Sequence, residues 1–165
     1  MASTLTVDNI VGTTTAGNVH IPGAVIQVKN TNTNTRTTHS STSYQVADDI
    51  VATITPKYTT SKILVMMNVM ARTYNNSGAD SSIKVGFSRD GGSTIISPIR
   101  TRAYDYGSNG IIVESSLSAN FLDSPATTSS LTYQVYFAFE NGTNATVNNF
   151  SPDSHSSITL MEIAQ

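Results

Sequence analysis

The sequence predicts an all-β sandwich, and three observations predict it. Short runs of Val, Ile, Tyr, Phe and Met recur along the 165 residues, each bounded by a cluster of Ser, Thr, Asn, Gly or Pro, which is the rhythm of strands and turns. Ala, Leu, Glu, Lys and Gln do not recur on one helical face, so amphipathic helices are not expected. Only 12% of residues are charged and the net charge is −2, about half the usual charged share. Such a composition suits broad surfaces that meet identical neighbours, where charges would repel or need desolvation.

Residues 1–23 read as an arm and residues 24–165 as one domain, a length that supports a single core. In the arm Leu5 and Val7 alternate with polar neighbours, Ile10 follows, and Val19 and Ile21 alternate before Pro22-Gly23. So thin a segment cannot bury its own apolar side chains, so Leu5, Val7, Ile10, Val19 and Ile21 are expected to anchor it on a partner.

The domain opens with a strand at Ala24–Lys29, with Ala24, Ile26 and Val28 expected on one face. Asn30–Ser43 is a Thr/Asn/Ser tract that reads as a long loop or irregular edge strand. Tyr44–Ala47 and Ile50–Thr55 follow, closed by Pro56. Lys62–Tyr74 is apolar on both sides: Ile63, Val65, Met67 and Val69 on one, Leu64, Met66 and Met70 on the other. A strand of that kind is covered twice, by the sandwich and by a second layer such as a subunit interface.

Ser82–Ser88 and Ser93–Ser97 form a hairpin across Arg89-Asp90-Gly91-Gly92. Ser97–Gly110 is aperiodic and reads as an exposed loop. Ile111–Leu122 alternates, with Val113, Leu117, Ala119 and Phe121 inward, until Asp123-Ser124-Pro125 breaks it. In Leu131–Glu140, Tyr133, Val135, Phe137 and Phe139 share the inner face, and Asn141-Gly142 turns the chain. Thr146–Phe150 and Ser157–Ile163 complete eight to ten strands, a number that fits a jelly roll or a related two-sheet sandwich. Ile158, Leu160, Met161 and Ile163 make the last strand apolar on both sides. Leu64, Met66, Met70, Leu160, Met161 and Ile163 are therefore the expected seam of a homotrimer.

Chemistry-bearing constellations are scarce. With no cysteine, disulfides and zinc–thiolate sites are excluded. His20, His39 and His155 lie in three polar segments without ligand spacing. Asp48-Asp49 and Asp123 are weak candidates for calcium and read as turn residues. No Gly-x-Ser-x-Gly elbow and no phosphate-binding glycine loop is present. Asp80, Asp90, Asp105, Glu114, Glu140 and Glu162 are scattered over different elements and nominate no acid–base pair. A non-enzymatic protein without a cofactor is expected.

The balance of charge argues against nucleic acid as a partner. Residues 1–11 have neither a basic stretch nor a continuous apolar run, so no secretory signal is expected, and no apolar run approaches a membrane span. Arg100, Arg102, Tyr104 and Tyr106 interleave cations with aromatics, a pattern that suits a protein-contact or receptor-contact loop.

Four segments in order carry a family resemblance: Ala2-Ser3-Thr4-Leu5-Thr6-Val7-Asp8-Asn9-Ile10; Ile54 through Val65 around Thr55-Pro56-Lys57-Tyr58; Phe121-Leu122-Asp123-Ser124-Pro125-Ala126-Thr127-Thr128; and Ser157 through Ile163. Together they resemble virion structural proteins of tailed phages, particularly marine and cyanobacterial ones. The resemblance implies a jelly roll like that of the tumour-necrosis-factor/C1q group, threefold trimers and a place in the virion. It supplies no catalytic residues. The leading expectation is a trimeric head-decoration or head-fibre protein held on the major capsid protein by its arm. The alternative is a tail-fibre or tail-tip protein that binds a host-surface receptor through the Arg/Tyr segment.

Overall fold

The computed structural model describes residues 21–76, 80–104, 110–148 and 153–165. They form ten strands and no helix: β1 (Val25–Thr33), β2 (Thr37–His39), β3 (Gln45–Ile54), β4 (Lys62–Asn75), β5 (Asp80–Ser88), β6 (Ile96–Tyr104), β7 (Ile111–Asp123), β8 (Leu131–Asn141), β9 (Asn144–Val147) and β10 (Ser156–Ile163). Pairing is nested: β5 with β6, β4 with β7, β3 with β8, β2 with β9 and β1 with β10, all antiparallel. The chain is in effect one long two-stranded ribbon. Cross-pairing of β10 with β4 and of β8 with β5 rolls it into two sheets. One sheet holds β1, β10, β4, β7, β9 and β2, and the other runs β3-β8-β5-β6. That wrapping is a jelly roll.

Alternation fills the space between the sheets. Ile63, Val65, Met67 and Val69 of β4 and Ile158 and Leu160 of β10 meet Ile83, Val85 and Phe87 of β5 and Tyr133, Val135 and Phe137 of β8, all buried. One strand, β4, serves two partners along the same edge: β10 from Lys62 to Asn68 and β9 from Ala71 to Tyr74. The ladder would break between them, and two residues fill the gap. The Ser156 hydroxyl accepts the Met70 N–H at 2.9 Å, and the Asn148 N–H donates to the Met70 carbonyl at 3.0 Å. Asn148 does so at φ 58°, a left-handed backbone that Asn tolerates better than most residues. Its side chain accepts the Ser156 hydroxyl and donates to the Thr35 carbonyl.

Two buried carboxylates sit in one inner row, Gln27–Glu162–Ile63–Asp123. Glu162 accepts from the Gln27 amide (2.6 Å), the Lys57 N–H (2.7 Å) and the Ser61 hydroxyl (2.7 Å). Burial pushes its pKa up, but these donors, with the Tyr58 N–H, more than offset that and hold it below the usual carboxylate value. Asp123 accepts from the Tyr133 hydroxyl (2.7 Å) and the Ser124 N–H (2.8 Å), and Arg89 lies 3.0 Å away. Burial, then the bond to Asp123, raises the Tyr133 pKa strongly, so the phenol stays protonated.

Several expected elements are redrawn. Ser97–Gly110 is not a loop as a whole: β6 runs from Ile96 to Tyr104, and the connection after β5 is correspondingly longer than a tight hairpin. Tyr44–Ala47 and Ile50–Thr55 are one strand, β3, interrupted by a bulge at which Asp49 takes φ 62°. The Thr/Asn/Ser tract contributes the end of β1 and all of β2. In β1 a bulge at Ile26 breaks the period of two, so Val25 and Val28 both face outward, and Val28 does not share a face with Ala24 and Ile26.

Candidate functional site

The outer face of the six-stranded sheet is the candidate surface. Register brings Val28 of β1, Met161 of β10, Leu64 of β4 and Leu122 of β7 into one row across four strands. Val25 and Ile163 pair at its margin, and Met66 sits in the next row with Asn30, Thr159 and Asn120. A third row is Asn32–Ser157–Asn68–Ser118. Val25 is 54% exposed, Val28 50% and Leu122 45%, so the strip is open to solvent. These three rows hold no charged side chain, and Lys62 lies at the rim opposite Ile163. Further along, Arg72 faces Glu114 at 3.6 Å and neutralises it.

The expected seam residues divide. Leu64, Met66, Met161 and Ile163 lie half-buried on this face. Met70 points the same way but sits farther along, paired with Ser116 next to the Arg72–Glu114 pair. Leu160 is not on the face at all: it is fully buried between the sheets, opposite Val65. Parity decides this, because β10 alternates Ile158 and Leu160 inward with Met161 and Ile163 outward. Val25, Val28 and Leu122 were not foreseen. They belong to strands far apart in sequence and join the strip only through register.

Arg100, Arg102 and Tyr104 stand two residues apart on the outer face of edge strand β6 rather than in a loop. Their charge is largely consumed locally. Arg100 bonds Glu140 at 2.6 Å, and Arg102 forms a two-pronged pair with Asp80 while lying 4.4 Å from the centre of the Tyr104 ring. The Arg102 bond and charge lower the Asp80 pKa, and those of Arg100 lower that of Glu140. Lys84 covers the Tyr44 ring at 5.0 Å on the same face. Tyr106 lies outside the described residues, as do Leu5, Val7, Ile10 and Val19. Ile21 is 54% exposed at the start of the described chain.

The described histidines, His39 and His155, lie on different segments. His39 lies on β2 rather than in a loop, its Nε2 3.0 Å from the Val46 carbonyl and its ring 5.1 Å from that of Phe137. His155 is exposed and His20 lies outside the described residues. Among the described residues no three His, Asp or Glu side chains gather as a metal site, and Asp123 is engaged by Arg89 and Tyr133. Among them, too, no helix is long and apolar enough to cross a membrane. A half-open recess of about 280 Å³ lies between Arg89, Asp90, Thr94 and Ile96 at the β5–β6 turn.

No family model matches the sequence, and no curated protein matches it. Among solved structures the chain is similar to the Eiger TNF of S. frugiperda at 10% identity and TM-score 0.40, over 88% of this chain and 95% of that one. It is also similar to the D431N mutant VP2 protein of infectious bursal disease virus, from T=1 particles, at 10% identity and TM-score 0.38, over 100% of this chain and 41% of that one. A third is dimeric latent PorU from Porphyromonas gingivalis, at 9% identity and TM-score 0.35, over 90% and 14% of the two chains. The nested strand order, rather than these likenesses, defines this chain as a jelly roll.

Proposed function

We propose that the chain is a non-enzymatic structural protein of a tailed-phage virion, a homotrimer whose jelly roll decorates the head and whose residues 1–23 attach it to the major capsid protein. The observation that carries the reading is the uncharged apolar strip around Val28, Met161, Leu64 and Leu122. A neutral face can meet a copy of itself without setting like charges together. The resemblance of four segments in order to phage virion proteins supports the virion assignment.

Magnitudes favour a closed ring over a pair. Fully burying a Val, Leu or Met side chain is worth roughly 1.5–3 kcal/mol. The four row residues are already half-covered or more, so one subunit's row offers on the order of 3–6 kcal/mol and two facing rows about 6–12 kcal/mol. Association costs about 4–15 kcal/mol in lost freedom, so two facing rows hold a pair only marginally. A ring in which each subunit makes two contacts, with Val25, Ile163 and Met66 added, is held far better.

The Arg100–Tyr104 face supports the receptor-binding alternative less, because its guanidinium groups already have carboxylate partners. Removal of residues 1–21 tests the attachment. Strands β1 to β10 contain the core, so the shortened chain is expected to remain a folded trimer and to lose its place on the particle. A shortened chain that still decorates particles, or a full chain that stays monomeric at high concentration, refutes the reading.

A further inference from the structure

We propose that the recess at the β5–β6 turn is a saccharide site, in which Arg89, Asp90, Thr94 and Ile96 hold one neutral pyranose ring. The proposal goes beyond the reading above and does not depend on it, since neither the apolar strip nor residues 1–23 take part.

The turn holds its own shape. The Ser88 hydroxyl accepts the Asp90 N–H at 3.2 Å and the Gly92 N–H at 3.0 Å, and it donates to the Asp90 carboxylate at 2.6 Å. The same carboxylate oxygen accepts the Thr94 N–H at 2.9 Å, and the Ser93 hydroxyl donates to the Asp90 carbonyl at 3.2 Å. Gly92 packs so closely on Tyr136 of β8 that a Cβ there would stand 2.7 Å from the ring. Arg89 is tied to the end of β7 by its 3.0 Å approach to Asp123. A site fixed before its ligand arrives loses little ordering entropy on binding.

Polar capacity of both kinds is left over around the recess. Arg89 meets Asp123 through Nε, and among the described residues no hydrogen bond occupies its terminal amino groups. The bonds from the Ser88 hydroxyl and the Thr94 N–H fall on one oxygen of Asp90, which leaves the other to accept. Charge narrows the ligand. One guanidinium stands against two carboxylates, Asp90 and Asp123, so an anion gains nothing net and a cation meets Arg89. A sugar hydroxyl donates and accepts at once. Neighbouring hydroxyls therefore bridge Arg89, Asp90 and the Thr94 hydroxyl, while the C–H face of the ring rests on half-buried Ile96. Size agrees: about 280 Å³ falls just under the ~300–1,000 Å³ of small-molecule sites, which is room for a single ring. Because the recess is half-open, that ring can be the end of a longer glycan.

The test is saturation-transfer NMR on the full chain with the methyl glycosides of glucose, galactose, mannose and N-acetylglucosamine, with acetate and inorganic phosphate alongside. Saturable transfer to at least one glycoside is expected, with a dissociation constant in the millimolar range for so open a site. Asp90→Asn keeps the oxygen that the turn uses and turns the other acceptor into a donor. Arg89→Lys keeps the charge beside Asp123 and removes the fork. Each is expected to weaken binding about tenfold or more, the worth of one hydrogen bond to a charged group. If either variant fails to fold, Thr94→Val takes its place, since it removes the hydroxyl and leaves the Thr94 N–H in the turn. Transfer to none of the glycosides overturns the site. Binding that the variants do not weaken lies elsewhere and overturns it too, and tighter binding of acetate or phosphate than of any glycoside overturns the neutral ligand.

Discussion

Replacing Glu162 with Ala removes the acceptor that ties the 55–61 segment to the last strand. Glu162 is fully buried and receives three donors between 2.6 and 2.7 Å. Gln27 also donates to the Thr55 carbonyl at 2.7 Å, so its amide is not stranded by the change. The Lys57 and Tyr58 N–H groups and the Ser61 hydroxyl lose their acceptor. A buried donor left unsatisfied costs about 1–3 kcal/mol, so three amount to roughly 3–9 kcal/mol. Against a domain stability of about 5–15 kcal/mol that is a large share. At about 2–4 °C per kcal/mol for a chain of this size, Tm is expected to fall by roughly 6–36 °C. The effect also depends on pH. Because the folded pKa is lowered, the contribution of Glu162 is fully present above its unfolded value of ~4.3 and is lost as pH falls through the folded value. Urea unfolding of Glu162→Ala and the unaltered chain at pH 7 and at pH 3 measures both. A difference below about 1 kcal/mol at pH 7, or one that does not shrink in acid, refutes the reasoning.

Three further outcomes follow from the geometry. Leu160→Ala opens a cavity in the core and is expected to cost about 2–5 kcal/mol by chemical denaturation, without weakening self-association of the folded protein. Asp90 accepts from Ser88 and from the Thr94 N–H, which hold its pKa at about 2. Its stabilising contribution is therefore present above ~3.9 and lost only as pH falls through about 2; an NMR titration midpoint near 4 contradicts the turn geometry. Gly91→Ala meets open space at φ 73°, whereas at Gly92 a Cβ would stand 2.7 Å from the Tyr136 ring at φ 91°. The first is expected to cost roughly 1–2 kcal/mol of backbone strain and the second clearly more, with equal losses counting against the packing of that turn on β8.

Central strands were legible in the sequence because a buried inner face writes itself into a period of two. The inward set of β4 and the Tyr133–Val135–Phe137–Phe139 face of β8 are read directly. Edge strands were not. The core side of β6 offers Ile96 and Ile99, then Thr101 and Ala103, and Ser97 takes φ 52°, so too little apolar alternation remained to mark a strand. The bulge at Ile26 turned Val28 outward, which no periodicity can announce. The strip itself is legible only in part. Leu64, Met66, Met161 and Ile163 stand out as the second side of apolar strands, but Leu160 required the parity of β10 to place it inside. Val25, Val28 and Leu122 join across strands separated by most of the chain, and only the register brings them together. Glu162, a lone acid in an apolar strand, gave no sign of its four donors.

The most direct test of the virion assignment is the copy number of this chain per purified particle, by quantitative mass spectrometry against the major capsid protein. The account predicts on the order of a hundred copies or more, as a threefold decoration on a lattice requires. Absence from the particle contradicts it, and a count of about a dozen contradicts the head location and leaves a tail or vertex appendage.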